Sequence, residues 1–152
     1  MRNETRVIIE ENGQRHEFAI RQMSATQLEW WILRAIPCIG PALELPDGAG
    51  VEAIGAALEK HGVAALMKID PEKAKPLLDE MLTCASRVVD GNLYPVSINT
   101  VDAFFSGVGS LFKLRVECFK ANFSFFVNAV RSGSTEEGKA PKASPTVRMS
   151  LR

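Results

Sequence analysis

Seven of the eight phenylalanines lie in one stretch, residues 101–130. Each aromatic side chain can bury roughly 150–250 Å², so this stretch must supply much of the hydrophobic core. At about 100° per residue, its apolar residues form one helical stripe: Val101, Phe105, Val108, Phe112, Val116, Phe119, Phe123, Phe126 and Val130. The pattern predicts a long helical region against which the rest of the chain packs.

The same projection shows a second apolar stripe, roughly 220° around the helix from the first. Its members are Leu114, Cys118, Ala121, Phe125 and Ala129. A helix with two apolar stripes needs two surfaces to pack against. One is its own domain, and the other is either more of that domain or another protein. If the second surface is another protein, Leu114, Cys118, Ala121 and Phe125 are candidates for the interface with it.

Length and charge exclude several classes of protein. The chain has 152 residues, a common length for one domain, and 18 basic residues balance 18 acidic ones. A net charge of zero argues against a nucleic-acid or acidic-lipid binder, which normally has a basic field. The three separated cysteines are typical of reduced core thiols in a cytosolic protein. No signal peptide is evident, and no apolar run approaches the roughly 18–20 residues of a membrane span.

A β-hairpin is predicted over residues 5–21. Asn12-Gly13 separates two β-rich runs, and this dipeptide favours a two-residue turn because both residues tolerate positive φ. Such a turn sets the register, so that Val7 faces Phe18 and Ile9 faces His16. The apolar face of the hairpin should then lie on the helices.

Four helical segments are predicted after the hairpin. Their approximate ranges are 24–36, 51–60, 70–89 and 99–131. Ser24 with Gln27 is a capping box, and Pro37 should end the first helix. Asp70 is a predicted N-cap, although Pro76 implies either a separate first turn or a start near Lys75.

The predicted fold is therefore mainly α with a small N-terminal β-hairpin. About four helices form a bundle, with a kink or break at the glycine-rich segment 106–110. A single globular domain is expected over residues 1–131, with the hairpin at 5–21 and the helices at 24–131. Residues 132–152 are rich in Ser, Gly, Lys and Pro and are expected to form a flexible tail.

Chemistry-bearing residues are sparse. His16 and His61 are the only histidines, and no His/Cys spacing resembles a zinc site. No nucleophile, base or phosphate loop is evident, so catalytic, cofactor-binding and metal residues are all predicted to be none. The tail carries four basic residues that could bind nucleic acid: Lys139, Lys142, Arg148 and Arg152. A small nucleic-acid-binding regulator that uses this basic tail is therefore the alternative hypothesis, although nucleic acid is an unlikely partner at zero net charge.

The Trp30-Trp31 pair leaves two possibilities open. Adjacent helical residues point about 100° apart, so both rings reach one core only if the helix is well covered. In the alternative, one ring is exposed and anchors an interface, since tryptophan is enriched in binding hot spots. Both residues are therefore candidates for protein interaction.

Three segments resemble the phage tail assembly chaperones, small proteins encoded among the tail genes of long-tailed phages and prophages. Phe18–Trp31 followed by Arg34-Ala35 resembles their opening, and Pro71–Cys84 is similar to their middle. Two further pieces of this sequence resemble the last helix of these chaperones: Leu111–Arg115 and Phe123–Phe126. The resemblance covers roughly residues 16–130.

That resemblance implies a non-enzymatic role in the cytoplasm of the bacterial host. Such chaperones bind the tape-measure protein, keep it soluble and recruit tail-tube subunits that polymerise around it. The implied partners are the tape-measure protein, the tail-tube protein and further copies of the chain. A protein that shields a long apolar client needs exposed apolar surface of its own.

Overall fold

The computed structural model describes residues 3–43, 45 and 47–124. Within these residues, four antiparallel strands form one sheet, which packs with four α-helices. The strands are β1 (Glu4–Glu11), β2 (Gln14–Arg21), β3 (Ala85–Val89) and β4 (Asn92–Pro95). The helices are α1 (Ala25–Ile39), α2 (Val51–Leu66), α3 (Pro71–Leu82) and α4 (residues 108–124, up to the last described residue). Short 3₁₀ helices cover Gly40–Leu43 and Val101–Ala103.

The predicted hairpin and its register are confirmed. Asn12 and Gly13 have φ angles of 53° and 80°, as a two-residue turn between twisted strands requires. Val7 lies opposite Phe18 and Ile9 opposite His16. The inward-facing Ile9 and Phe18 are buried, so this face of the sheet meets the helices.

The prediction of a mainly α bundle with only a hairpin is wrong, because the sheet has four strands in the order β1-β2-β3-β4. The predicted third helix, which was expected to reach Val89, ends at Leu82. Asp90 and Gly91, with φ angles of 52° and 79°, form a second hairpin turn between β3 and β4. Val88 and Val89 are β-branched and suit a strand, and pairing with β2 satisfies the backbone of β3.

Two prolines lie inside helices, against the predicted boundaries. α1 continues past Pro37 to Ile39, and α3 begins at Pro71 and includes Pro76. Each proline removes one backbone hydrogen bond. Burial of apolar residues just beyond each proline, Ile39 in α1 and Leu77 in α3, offsets that loss.

The predicted break in the phenylalanine-rich region is present. A 3₁₀ turn covers Val101–Ala103, and α4 starts only at residue 108. The phenylalanines therefore serve two parts of the core. Phe105 packs on Phe18 of the sheet with ring centroids 5.3 Å apart, whereas Phe119 and its neighbours on α4 pack on α1. The tail of residues 132–152 and the domain boundary at 131 lie outside the described residues.

Candidate interaction surface

The two adjacent tryptophans of α1 have opposite environments. Trp31 is fully buried, its indole N–H donates to the carbonyl of Leu77 at 3.0 Å, and its ring lies edge-on to Phe119 at 5.5 Å. Trp30 is 59 % exposed. Of the two sequence interpretations, the structure therefore shows the one with a single exposed ring.

Trp30 belongs to an exposed apolar face of α1. Leu33, one turn further along, is 60 % exposed, and Pro37 follows one turn later and is also exposed. The spacing i, i+3, i+7 places all three on one side of the helix. These three residues are named the α1 stripe. Leu33 was not among the predicted interaction residues, although its position three residues after Trp30 was a signal for it.

Charged neighbours hold the ring of Trp30 in place. The guanidinium of Arg34 lies 5.3 Å from the centre of that ring, within cation–π range. The same guanidinium donates to Glu80 of α3 at 2.5 Å. The exposed ring is therefore supported on one side by an ion pair that bridges two helices, so part of its ordering entropy is already lost before binding.

Three residues of the predicted second stripe lie inside the domain. Leu114 and Cys118 are fully buried and Ala121 is nearly so, and all three belong to the main core. Burial raises the pKa of the Cys118 thiol well above its usual value, so this group stays neutral. Phe125 lies outside the described residues. A partner would reach Leu114, Cys118 or Ala121 only after α4 had moved, and their part in binding stays a prediction.

One buried polar residue joins α4 to the start of α1. Asn122 has no exposed surface, and its side-chain oxygen accepts the backbone N–H of Met23 at 2.8 Å. Its amide nitrogen donates to the carbonyl of Cys118 at 2.9 Å and also lies within hydrogen-bonding distance of Met81 Sδ and Cys84 Sγ. These contacts account for both ends of the amide, which marks Asn122 as a structural group.

Ionisable residues also have structural partners. His16 Nδ1 lies 3.3 Å from Arg87 Nη2, and its ring packs edge-on to Phe105 at 5.5 Å. In the part of the chain that the structure describes, no three His, Cys, Asp or Glu residues are grouped so that they could hold a metal ion. Among the same residues, no helix combines the length and apolar character that crossing a membrane requires. The basic residues of the alternative hypothesis, at 139–152, lie outside the described range.

Comparison with known proteins gives one match. A family model described as phage tail assembly chaperone protein, TAC, matches residues 12–135. The matched region spans well over half of the chain and includes strands β2–β4 and the four helices, whereas β1 precedes it. No curated protein and no solved structure matches the chain.

Proposed function

The chain belongs to the phage tail assembly chaperone family, and we propose that it binds the tape-measure protein of its tail and helps to recruit tail-tube subunits. The proposed site of this work is the cytoplasm of the bacterial host, where tails are assembled. Within this proposal, the α1 stripe is the first contact for the client. The observation that carries it is the exposure of Trp30 and Leu33 side by side on one helix of a tail assembly chaperone.

The chemistry of the α1 stripe suits an apolar helical client. An amphipathic helix presents apolar side chains about every third or fourth residue, and it binds by laying them on an apolar partner surface. Trp30 and Leu33 are three residues apart, which matches the spacing of apolar side chains on such a client helix. Both side chains are large enough to exclude water from the contact. Tryptophan loses little conformational freedom on binding and contributes a large apolar area. Glu29 and Arg34 border the stripe and would set the orientation of the client.

The test is a binding measurement with purified tape-measure protein. In the variant Trp30→Gln/Leu33→Gln, both large side chains of the α1 stripe become polar while the helix propensity stays acceptable. We expect the dissociation constant to rise by about 100-fold, because loss of two contacts worth about 1–2 kcal/mol each is typical of interface anchors. The same variant should fail to keep tape-measure protein soluble during co-expression.

The control is Met67→Gln/Val108→Gln. Met67 and Val108 are more exposed than Trp30 and Leu33 but lie at the end of α2 and the start of α4. The control should bind the client as the unchanged protein does. Equal weakening by both variants, with both folded, would show that general surface hydrophobicity holds the client. Unchanged binding by the stripe variant would exclude the stripe as the client site.

Recruitment of tube subunits needs a separate measurement. Tail-tube protein is added to the preformed complex of chaperone and tape-measure protein, and its retention is followed by size-exclusion chromatography. The proposal expects co-elution only when the chaperone is present. If tube protein binds the tape-measure protein equally well without the chaperone, the chaperone protects the client but recruits nothing.

A further inference from the structure

β1 forms one edge of the sheet. β1 is the first strand in the order β1-β2-β3-β4, and within the described residues no strand pairs with its outer side. Glu11 and Gln14 flank the two-residue turn, so they form a pair that exchanges both backbone hydrogen bonds. Such pairs alternate along an antiparallel ladder. The backbone N–H and C=O groups of Glu4, Arg6, Ile8 and Glu10 therefore point away from β2, toward the outer edge of the sheet.

This edge lacks several of the features that usually prevent pairing with another chain. β1 pairs with β2 over eight consecutive residues without a bulge, and it contains neither proline nor lysine. Ile8, at its centre, is 50 % exposed. Edge strands that must stay single normally carry such interruptions or charges at their centre. A regular strand with an exposed isoleucine in the middle is suited to pairing.

β1 carries opposite charges at equal distances on the two sides of Ile8. Arg6 lies two residues before it and Glu10 two residues after it, on the same face of the sheet. If two copies of β1 pair antiparallel with Ile8 opposite Ile8, each Arg6 faces Glu10 of the second copy. The outward backbone groups of both strands then meet in hydrogen-bonded register, because all the paired residues belong to the same alternating set.

Neighbouring registers are less favourable. Centring the pair on Arg6 places two arginines opposite each other, and centring it on Glu10 does the same with two glutamates. Centring it on Val7 opposes Glu4 and Glu10, which are both negative. Like charges directly opposite each other destabilise a ladder, whereas opposite charges contribute roughly 0.2–1 kcal/mol per pair. The Ile8-centred register alone among these four joins opposite charges twice.

We infer that this protein forms a symmetric dimer through β1, in which two four-stranded sheets become one sheet of eight strands. A twofold axis passes between the two Ile8 residues, so the same surface serves both copies. Arg6 is available for this contact because its ion pairs within the chain, at 3.2 Å to Glu17 and 3.5 Å to Glu4, are half exposed. This inference does not depend on the client proposed above.

The helical side of the sheet has an apolar cleft at the same edge. The cleft has a volume of about 270 Å³ and lies between β1 and α4. Val7 and Ile9 form its strand side, and Phe112 and Val116 form its helix side, with Phe112 still 40 % exposed. In the Ile8-centred register, Val7 of one copy faces Ile9 of the other. The apolar side chains of the two β1 strands then form one continuous surface beneath the two α4 helices. This contact should bury Phe112 more deeply.

The first test is a charge exchange followed by mass measurement in solution. Arg6→Glu and Glu10→Arg should each weaken the dimer by about tenfold, because each places like charges opposite each other twice. The double variant Arg6→Glu/Glu10→Arg restores both pairs with reversed polarity. We expect its dimer affinity to return to within about threefold of the unchanged protein. A double variant no tighter than either single variant would overturn the register.

The second test uses the two edges of the sheet. Ile8→Lys places a charge at the centre of the proposed contact and should give a folded monomer. The matched control is Leu93→Lys, on the opposite edge strand β4, where the side chain is 48 % exposed. That variant should remain a dimer. Circular dichroism confirms that both variants fold. Sedimentation of the unchanged protein as a monomer at about 100 µM, a concentration that would populate dimers of micromolar affinity, would overturn the inference. So would a dimer that Ile8→Lys leaves intact.

Discussion

The carboxylate of Glu11 accepts the backbone N–H of Gly107 at 2.8 Å, which ties the end of β1 to the start of α4. The same carboxylate accepts the N–H of Ser106 and the hydroxyl of Ser110, each at 3.0 Å. The first N–H groups of a helix have no partner within the helix and favour a negative charge. Glu11 therefore caps the start of α4 from the sheet, although it lies 95 residues before Ser106 in the chain.

The first prediction concerns pH. The hydrogen bond from Ser106, with those from Ser110 and Gly107, lowers the pKa of Glu11 below its usual value. A lowered pKa in the folded state means that the ionised carboxylate stabilises the fold. This contribution is complete above the pKa of unfolded glutamate, about 4.3, and is lost as pH falls through the lower folded pKa. Glu11→Gln should reduce the free energy of unfolding at pH 7, and its difference from the unchanged protein should shrink below about pH 4.

Urea unfolding across this pH range measures the effect of Glu11→Gln. Glu29→Gln is the control, because Glu29 lies exposed on α1. The control should follow the unchanged protein at every pH. If the loss of unfolding free energy in Glu11→Gln stays constant from pH 7 to pH 3, the charge at this position does not matter.

The second prediction concerns the closest approach of two helices. A Cβ atom added to Gly62 of α2 would lie 2.5 Å from Cε1 of Phe119 on α4. Real contacts of this kind do not occur, so Gly62→Ala forces the ring or the helix to move. Overpacking of this type costs about 1–3 kcal/mol, and the loss should appear in the free energy of unfolding.

Gly109 provides the matched control for Gly62. It lies in the first turn of α4, and a Cβ atom there would meet nothing within 4 Å. Gly109→Ala should therefore raise the free energy of unfolding by about 0.5–1 kcal/mol. Combining Gly62→Ala with Phe119→Leu should remove part of the clash penalty. Stability of Gly62→Ala equal to that of Gly109→Ala would disprove the close contact.

The third prediction concerns the buried amide of Asn122. Asn122→Leu keeps a similar volume but leaves the N–H of Met23 without its partner at 2.8 Å. An unpaired buried donor costs about 1–3 kcal/mol, so denaturant unfolding should show a loss of that size. Asn99→Leu, at an exposed loop position, should change stability by less than about 0.5 kcal/mol. A neutral Asn122→Leu would mean that water replaces the lost partner.

The fourth prediction concerns thiol reactivity. The thiolate is the reactive form of cysteine, and burial both shields Cys118 and raises its pKa. Cys38 is only half-buried. Brief treatment of the native protein with iodoacetamide should therefore modify Cys38 at least about tenfold faster than Cys118. Peptide mapping by mass spectrometry measures the ratio. Equal labelling in the folded protein would show that the core around Cys118 opens readily.

Several local features could be read from the sequence because their causes lie within a few residues. Asn12-Gly13 forms the predicted turn, Ser24 accepts the N–H of Gln27 as a cap at 3.3 Å, and Asp70 caps α3. The wider membership in a phage tail assembly chaperone family was also recognisable from three segments, and the family match confirms it. In each case the informative residues are neighbours in the chain.

The tertiary structure decided what depends on distant partners. Asp90-Gly91 suits a helix end and a hairpin turn equally, and the free edge of β2 selected the hairpin by pairing with β3. The helical projection identified two apolar stripes in the phenylalanine-rich region but did not show that residues of both are buried. The folded core encloses Leu114 and Cys118 and leaves Phe112 partly exposed. Local spacing determines turns and caps, whereas burial is set by whichever distant surface covers a side chain.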